Sequence, residues 1–379
     1  MRPESEAELA EIVREARAPL AVRGGGTRPL GRRVGGQALS VSGLSGIELY
    51  EPGALTLVVR AGTALADVEA ALAAEGQRLA FEPMDHRGLL GTTGTPTIGG
   101  VIAANVSGPR RIQVGAARDF LLGVRFVDGR GEVIRNGGRV MKNVTGYDLV
   151  KLMAGSFGTL GVLTELALKV LPASRAAVTV SCEGLGDTAA VAALASALGS
   201  PFEVSGAAHL QKGVDGAPVT MIRLEGTEAS VAYRAGELRE LLAKHGAFTT
   251  EADPDRTAAG WRYIRDVEPF HGRTGDVWRL SVKPTDAPGI AAGVEGAEAV
   301  YDWGGGLVWL LVPEGTQGRD IWRAVAAAGG HATLIRGDRS GGAFQPLAPP
   351  VAALQEGLKQ RFDPRGILNP GLMDQGATA

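Results

Sequence analysis

The stretch 95–108, TPTIGGVIAANVSG, constrains this chain more than any other. A turn over Thr97-Ile98-Gly99-Gly100 feeding a run of small residues predicts a short helix whose first amides lie bare for an anion. A second glycine loop lies upstream, Arg23-Gly24-Gly25-Gly26-Thr27-Arg28. Glycine lets backbone approach a phosphate without a Cβ in the way, so two such loops predict a clasp around one diphosphate. Either loop alone reads equally well as an ordinary tight turn. The pattern is not a Rossmann fingerprint, since 97–105 lacks the third glycine and the acid that would follow. It is not a Walker loop, since no Gly-Lys-Ser/Thr follows.

The chain has 379 residues, enough for two or three domains. With 39 basic against 41 acidic residues and a net charge of −2, bulk charge implies neither nucleic acid nor an anionic membrane as partner. The 56 glycines exceed average usage, but a GC-rich genome accounts for part of that excess, so composition alone proves no glycine-rich function. One cysteine, Cys182, rules out an intrachain disulfide and a cysteine-built cluster. The five histidines, His86, His209, His245, His271 and His331, are not paired at ligand spacing, so no metal site is expected. The charged N-terminus has no apolar core of a signal peptide, and no segment has the apolar length of a membrane span. The expected location is cytoplasmic, at most peripheral at the inner face of the cell membrane.

Along the chain, Ser5 and Glu8 form a capping-box pattern that predicts a helix over 5–17. A short strand at 20–22 delivers the first glycine loop. Hairpins are predicted at 47–60 and 121–135, a helix capped by Thr63 and stopped by Gly76, a helix at 147–153 and a strand at 162–170. Beyond Pro172 an approximate βαβ, βα order predicts a sheet with helices on one side. Residues 249–273 read as a long loop, 346–350 as a linker and 354–362 as a last helix.

Five segments in this order prompt a comparison: RGGGTR (23–28), TIGGVIAAN (97–105), RDFLLGVRFVDGRGEVI (118–134), KNVTGYDLVKLMAGSFGTLGVLTE (142–165) and FDPRGILNPG (362–371). Together they resemble the FAD-binding fold shared by vanillyl-alcohol oxidase and para-cresol methylhydroxylase. Within that fold, GPRR (108–111), VMKNVTGYDL (140–149) and GGHATLIRG (329–337) resemble the FAD-binding E subunits of bacterial glycolate oxidases. The resemblance implies an α+β protein, with a two-subdomain FAD-binding domain at 1–172, completed by 346–379, and an α+β cap at 173–345.

It also implies roles for particular residues. Arg23, Gly24, Gly25, Gly26 and Thr27 would hold the FAD diphosphate, with Pro83, Thr97, Ile98, Gly99, Gly100, Asn105, Ser107 and Gly108 completing the cradle. Gly161, Val162 and Thr164 would present backbone to the adenosine or ribityl part, and Asn369 would approach the flavin from the C-terminus. The first loop holds no histidine, the residue that typically carries covalent flavin in this fold, so FAD is expected to be non-covalent. Oxidising a 2-hydroxy acid needs a base for the hydroxyl proton and a cation for the carboxylate. His331 is the candidate base and Arg336, Arg110 or Arg111 the candidate cations; a structural histidine and a salt-bridged arginine pair are the competing readings. The histidine-rich H-x-G-D-G-N-x-H segment of catalytic relatives is missing, its nearest counterpart being Asp302 to Trp309, and Gln345 stands where a histidine is expected. The implied partners are a sister flavin subunit and an iron–sulfur subunit, with a small 2-hydroxy acid as substrate and no nucleic acid. A non-catalytic FAD relay and a stand-alone oxidase of another hydroxy acid or a sugar lactone remain the alternatives.

Overall fold

The structure is a computed structural model that describes residues 1–139 and 146–374. The 140–145 part of the two segments quoted above therefore lies outside the described residues.

The first helix, Glu6–Glu15, starts where expected: the Ser5 hydroxyl accepts the Glu8 amide, and Leu9, Ala10 and Val13 form its buried face. Glu8 closes the box on the Glu4 amide rather than on Ser5. Strand Leu20–Arg23 then pairs in parallel with Gln37–Ser40, and Leu368 of the returning C-terminus bridges to Leu20. A five-stranded antiparallel sheet follows, in the order Ile47–Glu51, Thr56–Arg60, Gly161–Lys169, Leu121–Asp128, Val133–Gly137. Its central strand Gly161–Lys169 is buried on both faces and reads as a nearly continuous apolar run. Helix Leu65–Ala74 begins one residue later than its signal suggests, because the Thr63 hydroxyl is engaged with Gly46 and Arg60 instead of capping.

The second half is an eight-stranded sheet, antiparallel throughout, in the order Thr249–Glu251, Ala176–Glu183, Val219–Gly226, Val204–Leu210, Glu298–Asp302, Leu307–Val312, Asp276–Ser281, His331–Arg336. Helices Asp187–Leu198, Glu228–Leu242, Ala287–Ala292 and Gly318–Ala327 cover its outer face, where they bury two apolar clusters. The inner face packs on the N-terminal domain: Val277, Val300, Leu307, Trp309 and Ile335 share one core with Phe81, Ile98, Phe120 and Leu163. The region 249–273 is not a loop. Asp253 accepts the Arg256 amide and Pro254 occupies the first turn, so Pro254–Arg265 is a helix. Its Trp261 lies on the inner face, with the indole N–H donated to the Thr179 hydroxyl.

The last helix, Pro349–Phe362, starts earlier than its apolar residues suggest, with Pro349 and Pro350 in its first turn. Lys359 ties it down by donating to the Thr159 and Leu368 carbonyls and to Asp363. Among the described residues no helix is long and apolar enough to cross a membrane.

Candidate active site

The two glycine loops meet backbone to backbone. A Cβ on Gly25 would collide with the Thr95 carbonyl, one on Gly94 with the Gly25 carbonyl, and one on Gly24 with the Thr97 hydroxyl. The trench they border is also lined by Arg23, Gly26, Thr27, Arg28, Met84, His86, Gly99, Gly100, Gly158, Gly161, Val162 and Asn369.

The division of labour between the loops differs from expectation. The amides of the short helix Ile98–Ala103 are not bare: Ile98 donates to the Thr63 carbonyl, Gly99 to the Ala61 carbonyl and Gly100 to the Thr97 hydroxyl. The first loop is the open one. Among the described residues none of the five consecutive amides of Gly24, Gly25, Gly26, Thr27 and Arg28 donates a hydrogen bond. Backbone amides are almost always paired, and a run of free ones on a glycine turn is a ready anion nest. This run fits a diphosphate group, and Gly26, at φ 73° with nothing near its Cα, leaves the approach open.

Six other expected cradle residues lie elsewhere. Ile98 is in the core, and Pro83 lines a different cleft. The Asn105 carboxamide accepts the Arg118 amide, the Ser107 hydroxyl accepts the Ala117 amide, and Gly108 packs on the Glu82 carbonyl. The Thr164 hydroxyl bonds Glu6 on the first helix. Asn369 does line the trench, but as a clasp. Its side chain accepts the Val22 amide and donates to the Val22 and Phe157 carbonyls, pinning the C-terminal return to the first strand. Tyr147 is exposed.

Two of the four candidate catalytic groups are spent. Arg336 donates to the carbonyls of Leu89, Phe270, Arg273 and Gly275, so it clamps the cap to the 87–90 segment and has no fork left for a carboxylate. Arg110 is bidentate to Glu225 and paired with Glu82, in a buried network that Arg223 and Arg78 complete. That network lines the second cleft, on the other side of the domain contact. His331 stands exposed at the start of its strand, outside the trench lining. Its imidazole pKa is nevertheless lowered, first by desolvation and then by Arg279 and Arg111 nearby.

What gathers beside the trench is a set of basic groups of which sequence reasoning had proposed only Arg111 as a candidate cation. His86 is buried in the lining, its pKa held well below the usual value by desolvation and then by Arg28. Arg28 donates to the Gly100 carbonyl at 2.5 Å, and desolvation lowers its pKa to about 10. Alternation along Asp276–Ser281 sends Trp278 and Leu280 to the outer core and Arg279 to the inner face, opposite Trp309 and Thr333. There Arg279 lies 5.2 Å from the centre of the Trp303 ring, and Arg111 lies 4.4 Å from it. Desolvation, then the charge of Arg111, brings Arg279 down to about 10. One signal for Arg279 was available: an arginine interrupts the apolar run Val277-Trp278-Arg279-Leu280. Nothing local marked His86.

The glycine nest, the trench it borders and the paired α+β domains define an FAD-binding protein of the para-cresol methylhydroxylase type. The FAD binding domain family matches residues 1–137. The chain is 39% identical to glycolate oxidase subunit GlcE of Escherichia coli K12, over 96% of each chain. It is 35% identical to glycolate oxidase subunit GlcD of Bacillus subtilis 168 over 43% of this chain and 34% of that one. Among solved structures, an alkyldihydroxyacetonephosphate synthase superposes with a TM-score of 0.70 at 17% identity, covering 98% of this chain and 76% of that one. The chain therefore belongs to the family of FAD-linked oxidoreductases that includes GlcE.

Proposed function

We propose that this chain is the FAD-binding E-type subunit of a glycolate oxidase, taking glycolate to glyoxylate and passing the electrons to an iron–sulfur subunit, with a GlcD-like flavin subunit as its sister. The observation that carries this reading is the run of five free amides at Gly24–Arg28 beside a wall of cations that includes Arg28, Arg111 and Arg279. Likeness to GlcE over nearly the whole chain selects glycolate among the hydroxy acids. Bound FAD supplies the hydride acceptor. The chain's own residues do the rest. The free amides and Arg28 hold the diphosphate, and with no histidine in the first loop the cofactor is held non-covalently. The cationic wall draws in the acid's carboxylate and keeps it desolvated. His331, kept neutral by desolvation and by its arginine neighbours, takes the hydroxyl proton.

A second reading has its own support: His331 is exposed and outside the trench lining, as suits a relay subunit whose sister does the chemistry. An anaerobic absorbance spectrum before and after glycolate separates the two. Bleaching of the flavin band by glycolate alone, lost in His331→Ala, supports oxidation at this subunit. A flavin reduced only after the sister subunit is added makes the chain a relay. A colourless protein that cannot be reconstituted with FAD overturns both.

A further inference from the structure

The cap contributes one arrangement that neither FAD binding nor domain packing uses. Trp303 stands in the left-handed region at φ 53°, which a bulky side chain adopts only when its surroundings enforce it. Three contacts do so. Its amide is donated to Asp302 Oδ1 at 2.7 Å, its indole N–H is donated to the Gly108 carbonyl at 3.0 Å, and Gly304 and Gly305 follow at positive φ. Both of its polar hydrogens are thus spent on holding the ring still, with one guanidinium from each domain close to it, Arg111 at 4.4 Å and Arg279 at 5.2 Å from the ring centre.

Among the described residues neither guanidinium donates a hydrogen bond or forms an ion pair. In the other arginine cluster at the domain contact Arg78, Arg110 and Arg223 each meet a carboxylate, so this vacancy is selective. Two like charges on one desolvated ring repel each other, and cation–π attraction returns about 0.5–2 kcal/mol per contact. The acids in reach do not neutralise them. Asp302 is committed to the Trp303 amide, and its carboxyl, desolvated, is pushed up to about 7. Asp119, facing Arg111, accepts the Ala116 amide and pairs with Lys151. His331 and His86 add further donors to the same field. Apart from those two committed carboxyls, the groups converging on the stack are guanidinium cations and imidazoles, and the partner it lacks is a small planar anion.

We propose that the Arg111–Trp303–Arg279 stack is the carboxylate-binding site for the organic acid, taking the role that Arg336 and Arg110 cannot fill. This rests on the hydroxy-acid reading above and deepens it. The two guanidinium forks grip the carboxylate from both domains, so the acid itself closes the cap on the flavin domain. The held Trp303 ring fixes the plane in which it lies.

Oxalate, a two-carbon acid that cannot be oxidised as an alcohol, is the probe. It is titrated into the FAD-loaded chain and followed by tryptophan fluorescence and by the flavin difference spectrum. The wild type is expected to bind oxalate, Arg279→Met to weaken that binding roughly a hundredfold, and Arg279→Lys to recover part of it. Arg336→Met is expected to leave it unchanged. Flavin absorbance and melting temperature establish that each variant is folded and loaded. No binding of oxalate by the wild type at millimolar concentrations, or equal binding by wild type and Arg279→Met, overturns the proposal. The two readings fail separately. If glycolate bleaches the flavin with the same KM in wild type and Arg279→Met, the anion site is wrong and the oxidation stands. If oxalate binding depends on Arg279 while glycolate bleaches nothing, the site stands and oxidation at this subunit falls.

Discussion

Two arginine clusters lie where residues 1–172 meet residues 173–345. In one, Arg78, Arg110 and Arg223 share Glu82 and Glu225, so every guanidinium meets a carboxylate. In the other, Arg111 and Arg279 lie on a tryptophan face with no carboxylate bonded to either among the described residues. Arg110 and Arg111 are neighbours in sequence and belong to different clusters. The contrast teaches that a buried arginine says little until its partners are counted. A saturated network has spent its charge on holding two domains in register, and an unsaturated one keeps its charge for something that arrives later.

The largest expected effect falls on the open side. Gly25→Val puts a side chain into the Thr95 carbonyl and wrecks the nest, so the purified protein is expected to lose its flavin. The ratio of flavin to protein absorbance reads this directly, and a yellow variant would show that the five amides are not the diphosphate site. On the saturated side, Arg223→Met leaves Glu82 and Glu225 buried with fewer partners. It is expected to cost about 3–5 kcal/mol in chemical denaturation. A change under 1 kcal/mol would mean that this cluster holds nothing together.

The same cluster sets an acid limit. Burial alone raises the carboxyl pKa values of Glu82 and Glu225, but Arg223 and Arg110 more than offset it and hold both below the ordinary range. The folded state therefore takes up fewer protons than the unfolded chain as pH falls. Stability is present in full above about pH 4.5 and is lost progressively below it, as the unfolded carboxylates protonate first. Melting curves from pH 7 to pH 3 check this, and in Arg223→Met the acid loss is expected to shrink. The smallest effect is expected for Arg336→Met, about 2 kcal/mol for a clamp of four carbonyl contacts, with flavin retained. Loss of flavin there would instead place Arg336 in the cofactor site and blur the contrast between the two clusters.

Much of the architecture was legible wherever it depends on neighbours in sequence. Ser5 announced the first helix, and the alternation of 162–170 announced the central strand. The glycines of both loops marked a place where backbones must touch. The helix Pro254–Arg265 was legible too, in Asp253-Pro254, but its sparse apolar spacing hid it. The partners of the candidate arginines were illegible for another reason. Arg336 and Arg110 carry the same charge as Arg279 and Arg111, and sequence alone does not say which of them packing will satisfy.

What the sequence determined by itself is therefore local: which turns need glycine, where helices can start, and which strand faces are apolar. Those properties follow from backbone sterics and side-chain periodicity within a few residues. Tertiary structure alone decided which polar groups stay open. The first-turn amides of Ile98–Ala103 are closed because Ala61 and Thr63, far upstream, bring their carbonyls to them. Those of Gly24–Arg28 stay free because no acceptor among the described residues reaches them. A hydrogen bond or ion pair needs two partners within about 3 Å, and for these groups the partners lie tens to hundreds of residues away in the chain.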